Sequence, residues 1–279
     1  MKYFTLTLII LVSFSACKKD NSSEEENITF IFQDGFETQN NSIDELFPLD
    51  GSRWTTIQQV NPLNATNEIT IINNEFTEGQ NALRLLAHPS DTQISKMDIE
   101  KNGLHIKSGD KVSISADFFI KGTQSIENLV LMDLESCSCW DSSVTENYGI
   151  ENQCPGIRLK LSGADNYLSI ERGKIAGSTL HQTAVSFPRN QWVSVLWEMT
   201  LSDTEDGLNK LFINGIELLN ENGMNMPNAQ IFSNVFANQG INFTLQEPVF
   251  YERLQIGITA NPTAENVELF IDNFLIKTE

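Results

Sequence analysis

The sequence predicts an all-β protein, built from antiparallel strands as a sandwich or barrel. Three observations carry this. Apolar residues recur with period two from Ile28 onward, Gly, Asn, Asp and Ser interrupt them at short intervals, and one alternating segment contains Asn-Gly. Lys111-Val-Ser-Ile-Ser-Ala-Asp-Phe118 alternates cleanly, as do residues 157–161, 168–170 and 269–276. Each reads as a strand with one face buried. In Leu208-Asn-Lys-Leu-Phe-Ile-Asn214-Gly215-Ile-Glu-Leu-Leu219, Asn-Gly supplies the two positive-φ residues of a type I′ hairpin turn. Asn102-Gly103 predicts a second tight turn. Segments 42–47 and 228–237 read as short helices on connections. There is no long 3.6-residue stripe, internal repeat or Pro-rich linker, so residues 28–279 read as one domain.

Composition narrows the partners. The 279 residues include 18 Lys plus Arg and 37 Asp plus Glu, a formal charge of −19. Phosphate binding needs clustered cations, so a nucleic-acid partner and a polybasic membrane contact are excluded. Apolar residues make up 40 %, enough for a sizeable core.

The chain opens MKYFTLTLIILVSFSAC. Its apolar run of about 12 residues is too short to span a bilayer, which takes ~20. With Lys2 before it and small residues after it, the run reads as a signal peptide over residues 1–16. Phe14-Ser15-Ala16-Cys17 resembles the lipobox of bacterial lipoproteins, which implies lipidation of Cys17. Residues 17–27 then form a flexible acidic tether, polar and unable to pack. This Cys followed by Lys, Asp and a Glu cluster is similar to lipoproteins that Bacteroidetes place on the cell surface. The expectation is an exported outer-membrane or cell-surface protein, touching the membrane through its lipid only.

The order of landmarks adds a fold. Phe32-Gln-Asp-Gly-Phe-Glu37 and Trp54 come first, then Glu78-Gly-Gln-Asn-Ala-Leu-Arg-Leu85. Asn190-Gln-Trp192, the Asn-Gly hairpin, Leu254-Gln-Ile-Gly-Ile258 and Leu269-Phe-Ile-Asp272-Asn-Phe follow. This resembles the concanavalin A-like jelly rolls, two-sheet antiparallel sandwiches, and among them the heparin-lyase-I and alginate-lyase type. One fold hosts many functions, so the resemblance speaks to fold more than to activity.

Alternation also groups the polar residues. Lys96, Asp98 and Glu100 share one side of a strand, as do Ser113, Ser115 and Asp117. Asp133 pairs with Glu135 in this sense, and Arg158 with Lys160. If the strands are neighbours, one sheet face carries mixed charge. In the resembled family that concave face binds sugar, whose hydroxyls suit charged, bidentate groups.

A catalytic set is harder to find. Val130-Leu-Met-Asp133-Leu-Glu135 is similar to the Glu-x-Asp-x-Glu strand of laminarinase-type glycosidases, but Leu131 stands in the nucleophile's place, and retaining hydrolysis needs two carboxyls. The related lyases carry Arg-x-Glu-x-Arg-like, Gln-x-His and Tyr-x-Lys-x-Gly-x-Tyr-like strands. Ser95-Lys-Met-Asp98, Leu131-Met-Asp133 and Tyr251-Glu-Arg-Leu-Gln-Ile-Gly257 echo these in part, without the His. A lyase needs a base and a cation. His105 and Lys96 are the candidates, and they would have to meet.

Residues 136–156 form a long connection holding three of the four Cys, with Trp140 and Tyr148. In an exported protein Cys154 is expected to pair with Cys137 or Cys139. The stapled loop would display Trp140 beside the groove. Trp54, Trp192 and Trp197 read as packing. The jelly-roll resemblance further implies a structural Ca²⁺ where first and last strands meet, with Asp34, Glu37 and Asp272 as ligands.

Together these features read as a monomeric surface lipoprotein whose jelly roll binds extracellular polysaccharide. The groove residues are Lys96, Asp98, Glu100, Asp117, Asp133, Glu135, Trp140, Tyr148, Arg158 and Lys160. A binding module leads because no intact catalytic set is visible. A polysaccharide lyase or glycoside hydrolase in the same groove is the alternative, and an adhesion or structural module the third reading.

Overall fold

The period-two segments become strands almost throughout. The computed structural model describes residues 30–60, 67–89, 94–149, 154–173, 178–261 and 264–279. The signal peptide, Cys17 and the tether lie outside the described residues. In chain order the strands are β1 (Phe30–Asp34), β2 (Thr56–Val60), β3 (Glu68–Ile72), β4 (Ala82–Ala87), β5 (Ser95–Lys107), β6 (Lys111–Ile120) and β7 (Val130–Glu135). They continue as β8 (Gly156–Ser162), β9 (Tyr167–Arg172), β10 (Ser178–Ser186), β11 (Trp192–Thr200), β12 (Leu208–Ile213), β13 (Ile216–Asn222), β14 (Phe250–Asn261) and β15 (Val267–Thr278). Two helices, α1 (Ser142–Thr145) and α2 (Ala229–Ala237), sit on connections.

The strands form two antiparallel sheets packed as a jelly-roll-type sandwich. The first runs β13-β12-β11-β6-β15-β4-β3, with β1 also on β15; the second runs β10-β9-β8-β7-β14-β5-β2. Consecutive strands such as β5, β6 and β7 alternate between the sheets. Between the sheets lies one core, to which β5 contributes Met97 and Ile99, β6 Ile114 and Phe118, β8 Leu159, β11 Trp197 and β14 Ile256. Each fully buried side chain of this kind contributes about 1.5–3 kcal/mol.

The first and last strands meet as expected. β1 pairs with β15 from Phe30 opposite Thr278 to Asp34 opposite Phe274. Phe32 and Phe274 pack on the buried Trp54 with ring centroids 5.2 and 5.0 Å away, and Phe36 stacks on it at 6.1 Å. The hairpin turn is also as expected, with positive φ at Asn214 (50°) and Gly215 (77°). Residues 228–237 include α2, whose cap Asn228 accepts from the Ile231 N–H, and Ile43–Leu46 is a 3₁₀ turn.

Three expectations are corrected. Asn102-Gly103 makes no hairpin: β5 runs through it as one strand. Gly103, at φ +83°, instead lies in a bulge where Arg253 opposes Asn102 and Tyr251 opposes Ile106. Ser113, Ser115 and Asp117 belong to the first sheet, because β6 follows β5 across the sandwich rather than beside it. Trp54 and Trp197 are core, but Trp192 is not. It lies in register with Phe119, whose neighbours Phe118 and Ile120 face inward, so both rings stand on the outer face.

Trp54→Ala empties the space where β1 and β15 are clasped. The expected loss is about 3–5 kcal/mol in a urea or thermal melt.

Candidate active-site groove

The outer face of the second sheet is built by lateral register. One row crosses six strands as Thr56, Glu100, Gln255, Asp133, Arg158 and Glu171. The next row is Asn102, Arg253, Glu135 and Gly156. Gln58 and Asp98 form a third with Gly257. Residues between these, such as Ile99, Leu134, Ile157 and Leu254, point into the core.

Opposite charges alternate along the face. Gln255 Nε2 donates to Glu100 Oε1 at 2.8 Å and to Glu135 Oε2 at 3.1 Å. Gln58 Nε2 donates to the same Glu100 oxygen at 2.5 Å, and Lys96 Nζ donates to Gln58 Oε1 at 3.3 Å. Arg253 Nε donates to Glu135 Oε2 at 2.7 Å, its Nη2 donates to the same oxygen, and its Nη1 lies 3.7 Å from Glu100. A second string runs from Asp133 to Arg158 at 3.7 Å, from Arg158 to Glu171 at 3.4 Å, and on to Lys160. Isolated buried charges cost several kcal/mol each, so such a face persists only through pairing of this kind.

Within the pairs the cation lies nearer the solvent. The Arg253 side chain is 24 % exposed over a Glu135 at 0 %, and Arg158 is 15 % exposed over an Asp133 at 4 %. The face therefore presents guanidinium groups above the Glu135 and Asp133 carboxylates, with Lys160 and Glu171 level with each other beside them.

Lys96, Asp98, Glu100, Asp133, Glu135, Arg158 and Lys160 share this face as expected, although Asp98, Glu100, Asp133 and Glu135 are buried rather than open to water. Asp117 is on the other sheet, where its Oδ2 accepts from Thr77 Oγ1 and Asn273 Nδ2, each at 2.9 Å. Trp140 is not displayed. It is buried in a satellite cluster, its ring 5.8 Å from Phe236 and 4.6 Å from Phe243. Tyr148 is exposed on the 3₁₀ turn Glu146–Tyr148, off the strands of the charged face. His105 and Lys96 do not meet. They stand nine residues apart on β5, roughly 25–30 Å along an extended chain, and His105 packs on Phe250 at 4.3 Å.

Sequence reasoning missed Arg253, Gln255, Glu171 and Gln58. The signal was present for the first two, in the strand segment Tyr251-Glu-Arg-Leu-Gln-Ile-Gly257. Tyr251 itself is buried, and its hydroxyl donates to the Asn225 carbonyl at 2.7 Å. Burial, then the nearby Asp133 charge, pushes this hydroxyl well above the ordinary tyrosine range.

Cys154 pairs with Cys137, leaving Cys139 as the free thiol, buried, among the described residues. A loop of this size contributes roughly 3 kcal/mol in the chain-entropy model. The bridge sits against the groove, with Arg253 Nη2 2.9 Å from Cys137 Sγ. Glu135, Cys137 and Cys154 bring their ligand atoms within 4.8 Å of one another, a group that could coordinate a metal. Its two sulfurs are bonded to each other, so thiolate ligation requires reduction, and nothing about the group identifies Ca²⁺.

The expected Ca²⁺ ligands do not form such a group among the described residues. Asp34 accepts from Phe36 N–H at 2.7 Å and from Arg53 at 2.9 and 2.5 Å. Glu37 accepts from the Gln80 and Asn81 backbone and from Asn81 Nδ2. Asp272 accepts from Thr77, Glu78 and Asn273 N–H groups. Both oxygens of each carboxylate thus hold protein donors: Glu37 and Asp272 fasten loop 77–81 and Asp34 holds Arg53, rather than the three converging on an ion with six to eight oxygens.

A two-sheet antiparallel sandwich of this order defines a jelly roll, here with one outer face lined by charge. The chain belongs to the polysaccharide lyase family, whose model matches residues 48–274. The fold is similar to that of an endo-β-1,4-glucuronan lyase from the fungus Trichoderma reesei, with TM-score 0.55 and 10 % identity over 89 % of this chain and 94 % of that one. It is similar also to the cellulose-induced protein Cip1, with TM-score 0.53 and 11 % identity over 88 % and 96 %. The alginate lyase Aly36B gives TM-score 0.51 and 8 % identity over 88 % and 96 %. No curated protein matches the chain. These findings favour the lyase alternative over a module that only binds.

Burial raises the Cys139 thiol from its ordinary 9.0 to about 12. The folded state therefore keeps this proton where the unfolded chain loses it, and stability falls as pH rises through that window, from 9.0 to about 12. Native protein near neutral pH is expected to resist iodoacetamide at Cys139 and to label fully in denaturant; labelling of the native thiol would contradict the burial.

Proposed function

We propose that this protein is a polysaccharide lyase that cleaves a uronate-containing chain by β-elimination along the outer face of the second sheet. The observation that carries this reading is the pair of outward guanidinium groups, Arg253 and Arg158, over the buried carboxylates Glu135 and Asp133, in a member of the polysaccharide lyase family.

The chemistry suits that layer. A base removes the proton α to the uronate carboxyl, cations stabilise the enolate-like charge, and the β-oxygen leaves with the rest of the polymer. The product carries a carbon–carbon double bond conjugated with the carboxylate, and the proton passes from the base to the departing oxygen or to water. Arg253 and Arg158 meet the substrate carboxylate. Glu135 and Glu100 are positioning residues that hold Arg253. We place the base among the carboxylates of this face, since Tyr251 is committed to Asn225 and His105 packs on Phe250. We assign the base to Glu171, the most exposed carboxylate of the ion-paired strings, flanked by Arg158 and Lys160.

The address belongs to the same proposal. The lipobox-like ending at Cys17 and the polar tether support an exported, lipid-anchored protein acting on extracellular polysaccharide.

Purified protein is to be incubated with alginate, polygalacturonate and glucuronan, and unsaturated ends read by ultraviolet absorbance. Wild type is expected to shorten at least one polymer with rising absorbance. Arg253→Ala should lower kcat/KM about 100-fold or more and, by leaving the buried Glu135 without its cation, also lower the melt; Glu171→Gln should lower kcat about 10²–10⁴-fold in protein that remains folded. Polymer that co-elutes intact with wild type would return the protein to a binding module. Shortening without new absorbance would mean hydrolysis.

A further inference from the structure

The first sheet carries a feature the groove does not use. On its outer face a second registered row crosses five strands: Trp192 (β11), Phe119 (β6), Phe270 (β15), Arg84 (β4) and Thr70 (β3). At strand spacing this strip is roughly 19 Å long. Elsewhere on β6 the outward residues are Ser113, Ser115 and Asp117, so the aromatic side chains are concentrated at one end. Trp192 and Phe270 each meet Phe119 edge to face, at 5.8 and 5.5 Å. The Trp192 indole is held by a hydrogen bond from Nε1 to Glu75 Oε1 at 2.9 Å. A surface cleft of about 430 Å³ runs along the strip between Thr70, Arg84, Phe119 and Phe270.

We infer that this strip is a second polysaccharide-binding site, and that its ligand is a neutral polysaccharide rather than a uronate polymer. The part-exposed Trp192 and Phe119 rings, backed by the buried Phe270, offer apolar area to the C–H face of a sugar ring at little entropic cost. Polar groups spaced along them supply the hydroxyl contacts that orient it. The charge arrangement selects the class. Arg84 is bracketed by Glu68 at 2.9 Å and Glu268 at 2.6 Å, and Lys121 lies 2.9 Å from Glu268. Here both signs reach solvent: the Glu68 side chain is 50 % exposed against 22 % for Arg84, Lys121 is 58 % exposed over Glu268 at 20 %, and Glu75 adds a further negative charge at the aromatic end. A polyanion meets three carboxylates, Glu68, Glu75 and Glu268, against two cations, Arg84 and Lys121, whereas hydroxyls find donors and acceptors beside the rings. The site stands independently of the lyase reading, because it uses a different sheet.

The test is affinity electrophoresis of the full chain in gels containing hydroxyethylcellulose, arabinoxylan or laminarin, with alginate as the polyanion control. At least one neutral polymer is expected to retard wild type, and Trp192→Ala should weaken that binding about tenfold or more. Thr70→Arg, a change at an exposed position that fills the cleft, should do the same and covers the case that Trp192→Ala fails to fold. Arg253→Ala should be retarded like wild type, and Trp192→Ala should keep whatever uronate cleavage wild type shows. The inference is overturned if no neutral polymer retards the protein, or if folded Trp192→Ala and Thr70→Arg run as wild type. Retardation by alginate alone also overturns it. So does a dimer in light scattering that Trp192→Ala dissolves, which would make the face a self-association surface.

Discussion

Everything on the second sheet depends on the compensation of charge between laterally registered strands. Neighbouring strands set side chains about 5 Å apart on one face, so a carboxylate on one strand needs a cation or an amide on the next. Asp133 answers Arg158, Arg158 answers Glu171, and Gln255 stands between Glu100 and Glu135, where two like charges would otherwise face each other. A slip of one residue in any strand would turn these charges into the core. The apolar alternation that builds the sandwich and the polar alternation that builds the groove are one constraint seen from two sides.

This explains which parts were legible in the sequence. Period two gave the strands and correctly grouped Lys96 with Asp98 and Glu100, Asp133 with Glu135, and Arg158 with Lys160, since each group lies within one strand. It could not say which strands are neighbours. Asp117 has the same local pattern as Asp98, yet β6 crosses to the opposite sheet. Asn102-Gly103 has turn composition, but long-range pairing with β14 absorbs it as a bulge. Trp140 looked displayed because its loop is long and polar, and only α2 and residues 241–245, far along the chain, show it to be covered. Arg253 and Gln255 were visible on their strand, but their role comes from the carboxylates on either side of β14. Glu171 gains its place the same way, from β8.

The two outer faces differ in how they treat charge. On the second sheet the carboxylates are underneath and the cations above, which directs attraction outward in a chain whose overall charge is −19. On the first sheet Glu68 is the open partner of Arg84, Lys121 is the open partner of Glu268, and aromatic rings stand beside them. An antiparallel sandwich can carry both because its faces share the core but no side chains. A change of chemistry on one face leaves the packing of the other in place.

The Cys137–Cys154 bridge has a further consequence. The connection between β7 and β8 is a long excursion beside the groove, and such segments are where proteases cut. A single cut anywhere between the two cysteines would leave the new ends covalently joined through the sulfurs. β7 and β8 would also stay paired from Val130 opposite Lys160 to Glu135 opposite Gly156. Clipped protein would run as two fragments only after reduction, and until then it would keep Asp133, Glu135 and Arg158 in register.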